Sequence, residues 1–466
     1  MDMTDFTLFR DKMEQANVNE AAIKSFERNY QSLVNEESGM IPEDSISPVT
    51  DLADLNTLSS ETTTFDPELL AKTVVIKLNG GLGTSMGLQK AKSLLPVKDD
   101  TTFLDIIINQ ISYLRQSTGA EVKFLLMNSF STSEDTLEHL EQYEDINLSK
   151  AEDIEMMQNQ VPKIDAKTLA PAKNEDNPAT EWCPPGHGDL YAAIAGSGWL
   201  DKLLSSGVKY AFVSNSDNLG AVLDPSILSY FAESDKPFLM EVTRRTEADK
   251  KGGHLAIRKS DDQLLLREVA QCPDEDLDNF QDINTHQFFN TNSLWIRLDS
   301  LKESLEKHAG SLPLPMIKNS KTVDPRDKQS TPVYQLEIAM GAAIECFTGA
   351  SAICVPRSRF APVKTTSDLL ALRSDAYETT PDGRIALITE RKGKPPVINL
   401  SGEYKMVDIL EGLGNPSLKD ADKISITGLV RFAENVTIKG SVSFTNESKE
   451  TKWIASGTYQ DEDLIL

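Results

Sequence analysis

The chain has 466 residues, which at about 150 residues per domain suggests two or three domains. Hydrophobic residues are 39% and charged residues 26%, the balance of a soluble globular chain and not of a disordered or fibrous one. With 47 Lys plus Arg against 72 Asp plus Glu, the net charge of −25 repels a phosphate backbone and argues against general nucleic-acid binding, while small phosphate ligands need only a local cluster of donors.

The chain starts Met1-Asp-Met-Thr-Asp-Phe6, with no basic stretch leading into an apolar one, so no secretory signal is expected. No apolar run approaches the ~18 residues that span a bilayer, so no membrane partner is expected either. Cys183, Cys272, Cys346 and Cys354 are scattered and form no Cys-x-x-Cys pair. Free thiols in a reducing cytoplasm are expected, not a zinc site or a disulfide framework.

Phe26, Tyr30, Leu33 and Val34 recur at i, i+4, i+7 and i+8, one face of a helix that packs on a neighbouring domain or, as the alternative, binds a partner. Met40 to Thr64, with Pro42, Pro48 and many Ser, Thr and Asp, reads as loop and short turns. Thr73–Leu78 is a β-branched strand running into a Gly cluster. Phe103–Leu114 reads as a helix, Val122–Met127 as a strand, Leu190–Leu204 as helical and Tyr210–Ser214 as a strand. Phe238–Val242, Leu264–Val269 and Asn292–Ile296 read as strands, Gln335–Phe347 and Asp368–Tyr377 as helices. Apolar strands alternating with helices predict an α/β fold with a mostly parallel sheet covered on both faces. Beyond about residue 380, period-2 pairs (Ile424 and Ile426, Val436 and Ile438, Val442 and Phe444) are spaced by Gly428, Gly440 and polar turns. Short strands at that spacing fit a β-solenoid or a small sandwich.

Four segments carry the chemistry. Leu78-Asn-Gly-Gly-Leu-Gly-Thr-Ser-Met-Gly87, followed by Lys92, is a Gly-rich turn after a strand. Such a turn bends tightly and offers N–H groups to an anion. It is neither a P-loop nor the dinucleotide fingerprint, since Met86 stands where the third Gly belongs. Trp182-Cys-Pro-Pro-Gly-His-Gly-Asp189 places His187 in a rigid turn. Val213-Ser-Asn-Ser-Asp-Asn-Leu-Gly220 places Asn215 and Asp217 beyond the carboxyl end of a strand, where α/β sheets bind ligands and a carboxylate can hold Mg²⁺. Arg357, Arg359 and Lys364 lie within eight residues with no acid among them. Lys364 precedes a helix start near Ser367, where a cation makes best sense with an anion between the two. Each feature also has a bland reading: a ligand-free turn, a self-bonded His, a capping Asp, solvated cations.

Taken in order, Lys77–Gly87, Pro184–Asp189, Ser214–Gly220, Lys251–Gly253, Phe289–Asn292, Pro356–Phe360 and Pro362–Asp368 resemble the eukaryotic-type UTP–glucose-1-phosphate uridylyltransferase family. The likeness is dense over roughly residues 70–375. It implies a glycosyltransferase-A-like, Rossmann-type nucleotidyltransferase domain over 69–380 with a mixed sheet core. It also implies a helical N-terminal extension over 1–68 and a C-terminal left-handed β-helix over 381–466. The implied reaction converts UTP and α-D-glucose 1-phosphate to UDP-glucose and diphosphate, with Mg²⁺, in the cytoplasm. By matched position, Leu78, Gly80, Gly81, Gln160, Gly186 and Asn215 would line the nucleotide. Lys92 and Lys364 would hold its phosphates and serve catalysis. His187, Asn215, Gly253, Glu268, Asn290 and Asn292 would meet the sugar phosphate, and Asp217 the metal. Gln89, Ala91, Cys183 and Ser293 depart from the family pattern. The expected partners are UTP and glucose 1-phosphate, and the C-terminal β-rich domain offers a surface for homo-oligomers. Rival readings are a pyrophosphorylase for another or several sugar 1-phosphates, and a non-catalytic nucleotide-sugar-binding scaffold.

Overall fold

The computed structural model describes residues 6–37, 39–58, 64–143 and 151–466. Residues 1–5, and 59–63 of the expected loop, lie outside the described residues. Helices α1 (Thr7–Gln15) and α2 (Glu20–Val34) open the chain. The Asn19 side chain caps α2 by accepting from Ala22 N. Phe26, Tyr30 and Leu33 are buried on the predicted face, against Val161, Ile164 and Leu336. Apolar periodicity here marks packing on the body of the molecule.

An eleven-stranded mixed sheet forms the centre. Its strands are β1 (Ile46–Pro48), β2 (Ala53–Asp54), β3 (Thr73–Asn79), β4 (Lys123–Asn128), β5 (Glu155–Met157) and β6 (Tyr210–Asn215). They continue as β7 (Phe238–Arg244), β8 (His254–Arg258), β9 (Leu264–Arg267), β10 (Phe288–Arg297) and β11 (Ser351–Cys354). The main path is β2-β11-β7-β10-β6-β3-β4-β5, with β1, β8 and β9 branching beside β10. All seven residues of β3 are buried. Val75 faces the apolar cluster around helix α3 (Phe103–Thr118). Val74, Ile76 and Leu78 face the opposite cluster with helix α4 (Leu190–Gly196). Both faces are therefore covered, as the apolar strand runs predicted.

The mostly parallel sheet is corrected: β10 runs antiparallel to β6 and β7, and the β1–β8, β8–β9 and β8–β10 pairings are antiparallel too. The chain returns through the β8–β9 hairpin instead of a helical crossover, so β10 re-enters reversed. Three element readings also change. Leu190–Leu204 is two helices, α4 and α5 (Trp199–Ser205), split at Gly198, whose φ is 79°. Gln335–Ile338 ends a strand, Pro332–Ile338, that pairs with Met316–Thr322, and only Met340–Cys346 is helical, as a 3₁₀ turn. The expected helix over Asp368–Tyr377 is α6 (Thr366–Arg373). Tyr377 begins a strand pairing Tyr377–Thr379 with Ile385–Leu387.

The C-terminal strands are β12 (Val397–Leu400), β13 (Ser417–Thr427), β14 (Val430–Phe432), β15 (Val436–Thr445), β16 (Lys452–Ile454), β17 (Gly457–Gln460) and β18 (Asp463–Ile465). Every ladder among them is parallel, with Ile424 opposite Val442 and Ile426 opposite Phe444. No hairpin joins them. Their inward apolar residues run on into the cluster that holds Leu369 and Leu370 of α6. Thr366 Oγ1 donates to Tyr404 O at 2.6 Å across this junction. The four cysteines are free thiols. Among the described residues no helix is long and apolar enough to cross a membrane.

Candidate active site

β3 and β6 are parallel neighbours, with Leu78 opposite Asn215 at their carboxyl ends. Both ends open onto a cleft of ≈ 260 Å³. Leu78, Gly80, Gly81, Lys92, Gly186, His187, Asn215 and Asp217 line it, all expected from the sequence. Its wall also holds Gln158 and Glu337, which the sequence reading missed.

The Gly-rich turn follows β3 directly. Gly83 and Gly87 take φ of 67° and 82°, the left-handed region that favours glycine. Gly80 is held from below: Ser129 Oγ donates to its carbonyl at 2.9 Å. The turn closes on itself through Lys92 N donating to Gly81 O at 3.0 Å. That closure delivers the Lys92 side chain to Asp217, with Nζ 2.7 Å from Oδ2, and Nζ also donates to Val363 O. Val363 N donates to Asp217 O at 3.1 Å, so two segments far apart in sequence are stitched together here.

The second carboxylate oxygen, Asp217 Oδ1, is buried and has no hydrogen-bond partner among the described residues. Among those residues no group of three or more His, Cys, Asp or Glu converges as a metal cage. A lone carboxylate with a spare buried oxygen fits Mg²⁺, which keeps its waters and takes most other ligands from substrate phosphates.

His187 is fixed by its second-row contacts. Its Nδ1 accepts Met340 N at 3.0 Å, which leaves Nε2–H as the ring donor. Burial, aided by the charge of Lys364, pushes this imidazole down to about 4, so it is neutral near pH 7. Gly186 has φ 81°, and a Cβ there would lie 2.5 Å from Ile338 O. That close approach explains the Pro-Pro-Gly-His-Gly pattern. Burial raises the Glu337 carboxyl in the same wall.

Lys364 is exposed and does not line the cleft, although its charge reaches His187. The start of the helix after Lys364 is capped by its own side chains. Thr365 and Asp368 cap α6 reciprocally, and Asp368 Oδ2 also accepts Lys364 N at 2.9 Å. The helix end is therefore satisfied by its own side chains. Arg357 and Arg359 pack instead of steering. Arg357 grips Asp249 at 2.7 and 2.9 Å, and buried Arg359 grips buried Glu241 at 2.7 and 2.8 Å. Asn218 then ties the two loops, donating to Arg359 O at 3.1 Å and accepting Ala361 N at 3.0 Å.

Gln160 does not line the cleft, whereas Gln158 does. Gln158 follows β5, and its Nε2 donates to Gly186 O at 2.9 Å. β5 ends beside Asn128 at the same sheet edge, a pairing of distant segments.

Of the residues expected at the sugar, His187 and Asn215 line the cleft, while Gly253, Glu268, Asn290 and Asn292 form a second cluster that does not. Because β10 runs against β6, the first half of β10 lies at the edge where β3 and β6 end. A bulge there shifts the ladder from Glu241–Ser293 to Val242–Asn290. Asn292 sits in the bulge at φ 56°. Asn290 and Asn292 hold each other: Nδ2 of Asn290 donates to Asn292 Oδ1, and Asn292 N donates to Asn290 Oδ1, both at 2.9 Å. The Glu268 carboxylate lies so close over Gly253 that a Cβ there would be 2.6 Å from it. Burial raises the Glu268 carboxyl.

A family model described as UTP–glucose-1-phosphate uridylyltransferase matches residues 23–439. The Solanum tuberosum protein of that name is 43% identical over 386 residues, covering 82% of this chain and 78% of its own. A crystal structure of a mutant Leishmania major UDP-glucose pyrophosphorylase in complex with UDP-glucose is 48% identical, with TM-score 0.92 and 99% of each chain covered. One titled UDP-glucose phosphorylase from Trypanosoma brucei is 49% identical, with TM-score 0.90 over 99% of each chain.

Proposed function

The chain belongs to the UTP–glucose-1-phosphate uridylyltransferase family, and we infer from that premise how its cleft works. It is a nucleotidyltransferase that converts UTP and α-D-glucose 1-phosphate to UDP-glucose and diphosphate, reversibly. A sugar-phosphate oxygen attacks the α-phosphorus of UTP, and diphosphate leaves in line. A phosphate monoester is nucleophilic at neutral pH, so no strong base is required. The work is positioning two polyanions and stabilising spreading charge.

In our reading Leu78, Gly80, Gly81, Gly186 and Asn215 line the nucleotide, and Gln158 takes the base-reading role first expected of Gln160. Lys92 leaves its salt bridge partly free to meet the phosphates, and Lys364 closes on them from the rim. His187 donates Nε2–H to a phosphate oxygen without adding charge. Gly253, Glu268, Asn290 and Asn292 receive the hexose hydroxyls. Asp217 would hold Mg²⁺, which supplies charge neutralisation of the phosphates when bound. The observation that carries this assignment is the unpartnered, buried Asp217 Oδ1 beside the Lys92 ammonium at the mouth of the Gly-rich turn.

We read residues 1–68 as the extension, 69–380 as a glycosyltransferase-A-like, Rossmann-type catalytic domain and 381–466 as a left-handed β-helix. The parallel C-terminal ladders support the last of these. The exposed Trp453 and Ile465 on that stack favour it as a homo-oligomer surface, and the free thiols fit the cytoplasm. The test is diphosphate release from UTP and Mg²⁺ with glucose, galactose and N-acetylglucosamine 1-phosphates in parallel. Release with glucose 1-phosphate alone, lost in Asp217→Ala, is expected. Equal release with every sugar would favour a broad sugar-nucleotide pyrophosphorylase. No release despite UTP binding would favour a scaffold.

A further inference from the structure

Residues 41–48 run along the outside of the β8–β9 hairpin. β1 pairs antiparallel with β8, Ile46 opposite Arg258 and Pro48 opposite Ala256. Ile41 N donates to Gln271 O at 2.7 Å, and Gln271 Oε1 accepts Glu268 N at 2.9 Å. Between these two anchors Glu43 turns inward. Its Oε2 accepts Arg267 Nη1 at 2.6 Å and its Oε1 accepts His286 Nε2 at 2.8 Å. Its own N donates to Asp276 Oδ2 at 2.7 Å, and that oxygen also accepts Arg267 Nη2 at 3.3 Å.

The Arg267 side chain is 0% exposed, so these two carboxylates are its charge balance. His254 and Arg267 are cross-strand partners and share one face of the hairpin. His254 stacks on His286 at 3.9 Å on that face. Side chains alternate along a strand, so Gly253 and Glu268, the next residues, face the other way. There the Glu268 carboxylate lies against Gly253. The hairpin thus presents a polar lock to the strap and the expected sugar contacts on its opposite face.

We propose that Glu43 is a positioning residue for the hexose. By holding Arg267 and the strap against the hairpin it fixes the Gly253–Glu268 pair that meets the sugar. This makes the amino-terminal strap a part of the sugar half of the site. The proposal rests on the reading of Gly253 and Glu268 as sugar contacts given above.

The test is Glu43→Gln, which keeps the shape and removes the charge. KM for glucose 1-phosphate should rise about tenfold, the loss expected when one well-placed contact slackens, with KM for UTP and kcat within about twofold. In equilibrium binding, UDP-glucose should weaken by the same factor and UDP should not. A merely structural role would lower the melting temperature and the active fraction and leave both KM values in place. Unchanged affinity for both substrates, or an equal loss for both, would overturn the proposal. If Glu43→Gln does not fold, Asp276→Asn, which relaxes the same arginine, should show a smaller split of the same kind, and no split overturns it. A parent protein that releases no diphosphate would remove the catalytic reading, while the UDP-glucose against UDP comparison would still decide the role of the strap.

Discussion

On the nucleotide side of the site, Gly80 and Gly81 leave backbone open and Lys92 is balanced by one carboxylate oxygen of Asp217. On the side proposed for the sugar, Asn290 and Asn292 are already bonded to each other and Glu268 lies locked over Gly253. The first arrangement has charge to redistribute when a polyanion arrives. The second has amide and carboxyl groups held at fixed angles, an arrangement suited to the neutral hydroxyls proposed for it. Phosphates are met by adjustable cations and bare N–H groups because Coulomb attraction is non-directional. Hydroxyls need directional partners, and these discriminate only when they cannot turn away. In our proposal, the bulge in β10 and the strap over the β8–β9 hairpin supply that rigidity.

Substitutions should separate the two halves. Asp217→Ala should have the largest effect, about a thousandfold in turnover, because it removes the preorganised anion and unbalances Lys92. Sugar affinity, read as UDP-glucose against UDP binding, should scarcely change. If turnover survives, the nucleotide half is wrongly placed. Lys364→Ala should cost on the order of 10²–10³ in rate, by comparison with removing one positioned donor. Because Lys364 is exposed in this state, wild-type turnover would remove it from the chemistry and leave Lys92 as the acting cation.

Gly186→Ala attacks the wall shared by both halves. Its positive φ and the 2.5 Å approach to Ile338 O should destabilise the fold by about 1–3 kcal/mol, read as a lower urea midpoint. An unchanged midpoint would mean that the Pro-Pro-Gly turn can relax. Asn290→Ala should raise KM for glucose 1-phosphate by about tenfold, near 1.4 kcal/mol, with KM for UTP unmoved. A matching loss for UTP would erase the distinction between the halves.

The smallest expected effect is in pH dependence. The His187 ring is held near 4, below its ordinary value of 6.5. Between those values the unfolded chain takes up a proton that the folded chain refuses, so folding stability falls as pH falls through this window. His187→Gln should therefore lose less stability than the parent between about pH 7 and pH 5. An equal loss would show that the imidazole is charged in the folded state.

Much of this was legible in the sequence because the signals were local. Strand β3 announced itself by a β-branched run, and the Gly-rich turn by the positive φ that Gly83 and Gly87 adopt. Asp217 was found because it lies just past a strand. Gln158 was missed because its sheet edge depends on the pairing of β5 with β4, which no local pattern states. Gln335–Phe347 read as helical because its apolar spacing suits either period, and pairing with Met316–Thr322 made the first part a strand. The roles of Arg357 and Arg359 were likewise open, since their acidic partners, Asp249 and Glu241, lie over a hundred residues away.

The reaction class, the order of the motifs and the residue types proposed for phosphate, metal and sugar were legible in the chain before folding. Each depends on side-chain chemistry and short spacings that survive in one dimension. Folding was needed to bring Lys92 to Asp217, to reverse β10, to turn Gln158 to the cleft and to bring Glu43 to Arg267 behind the Gly253–Glu268 pair. Those facts depend on strand pairing and the burial of charge, where partners are chosen by the fold because an arginine or carboxylate taken out of water must find its counterpart wherever the chain brings one.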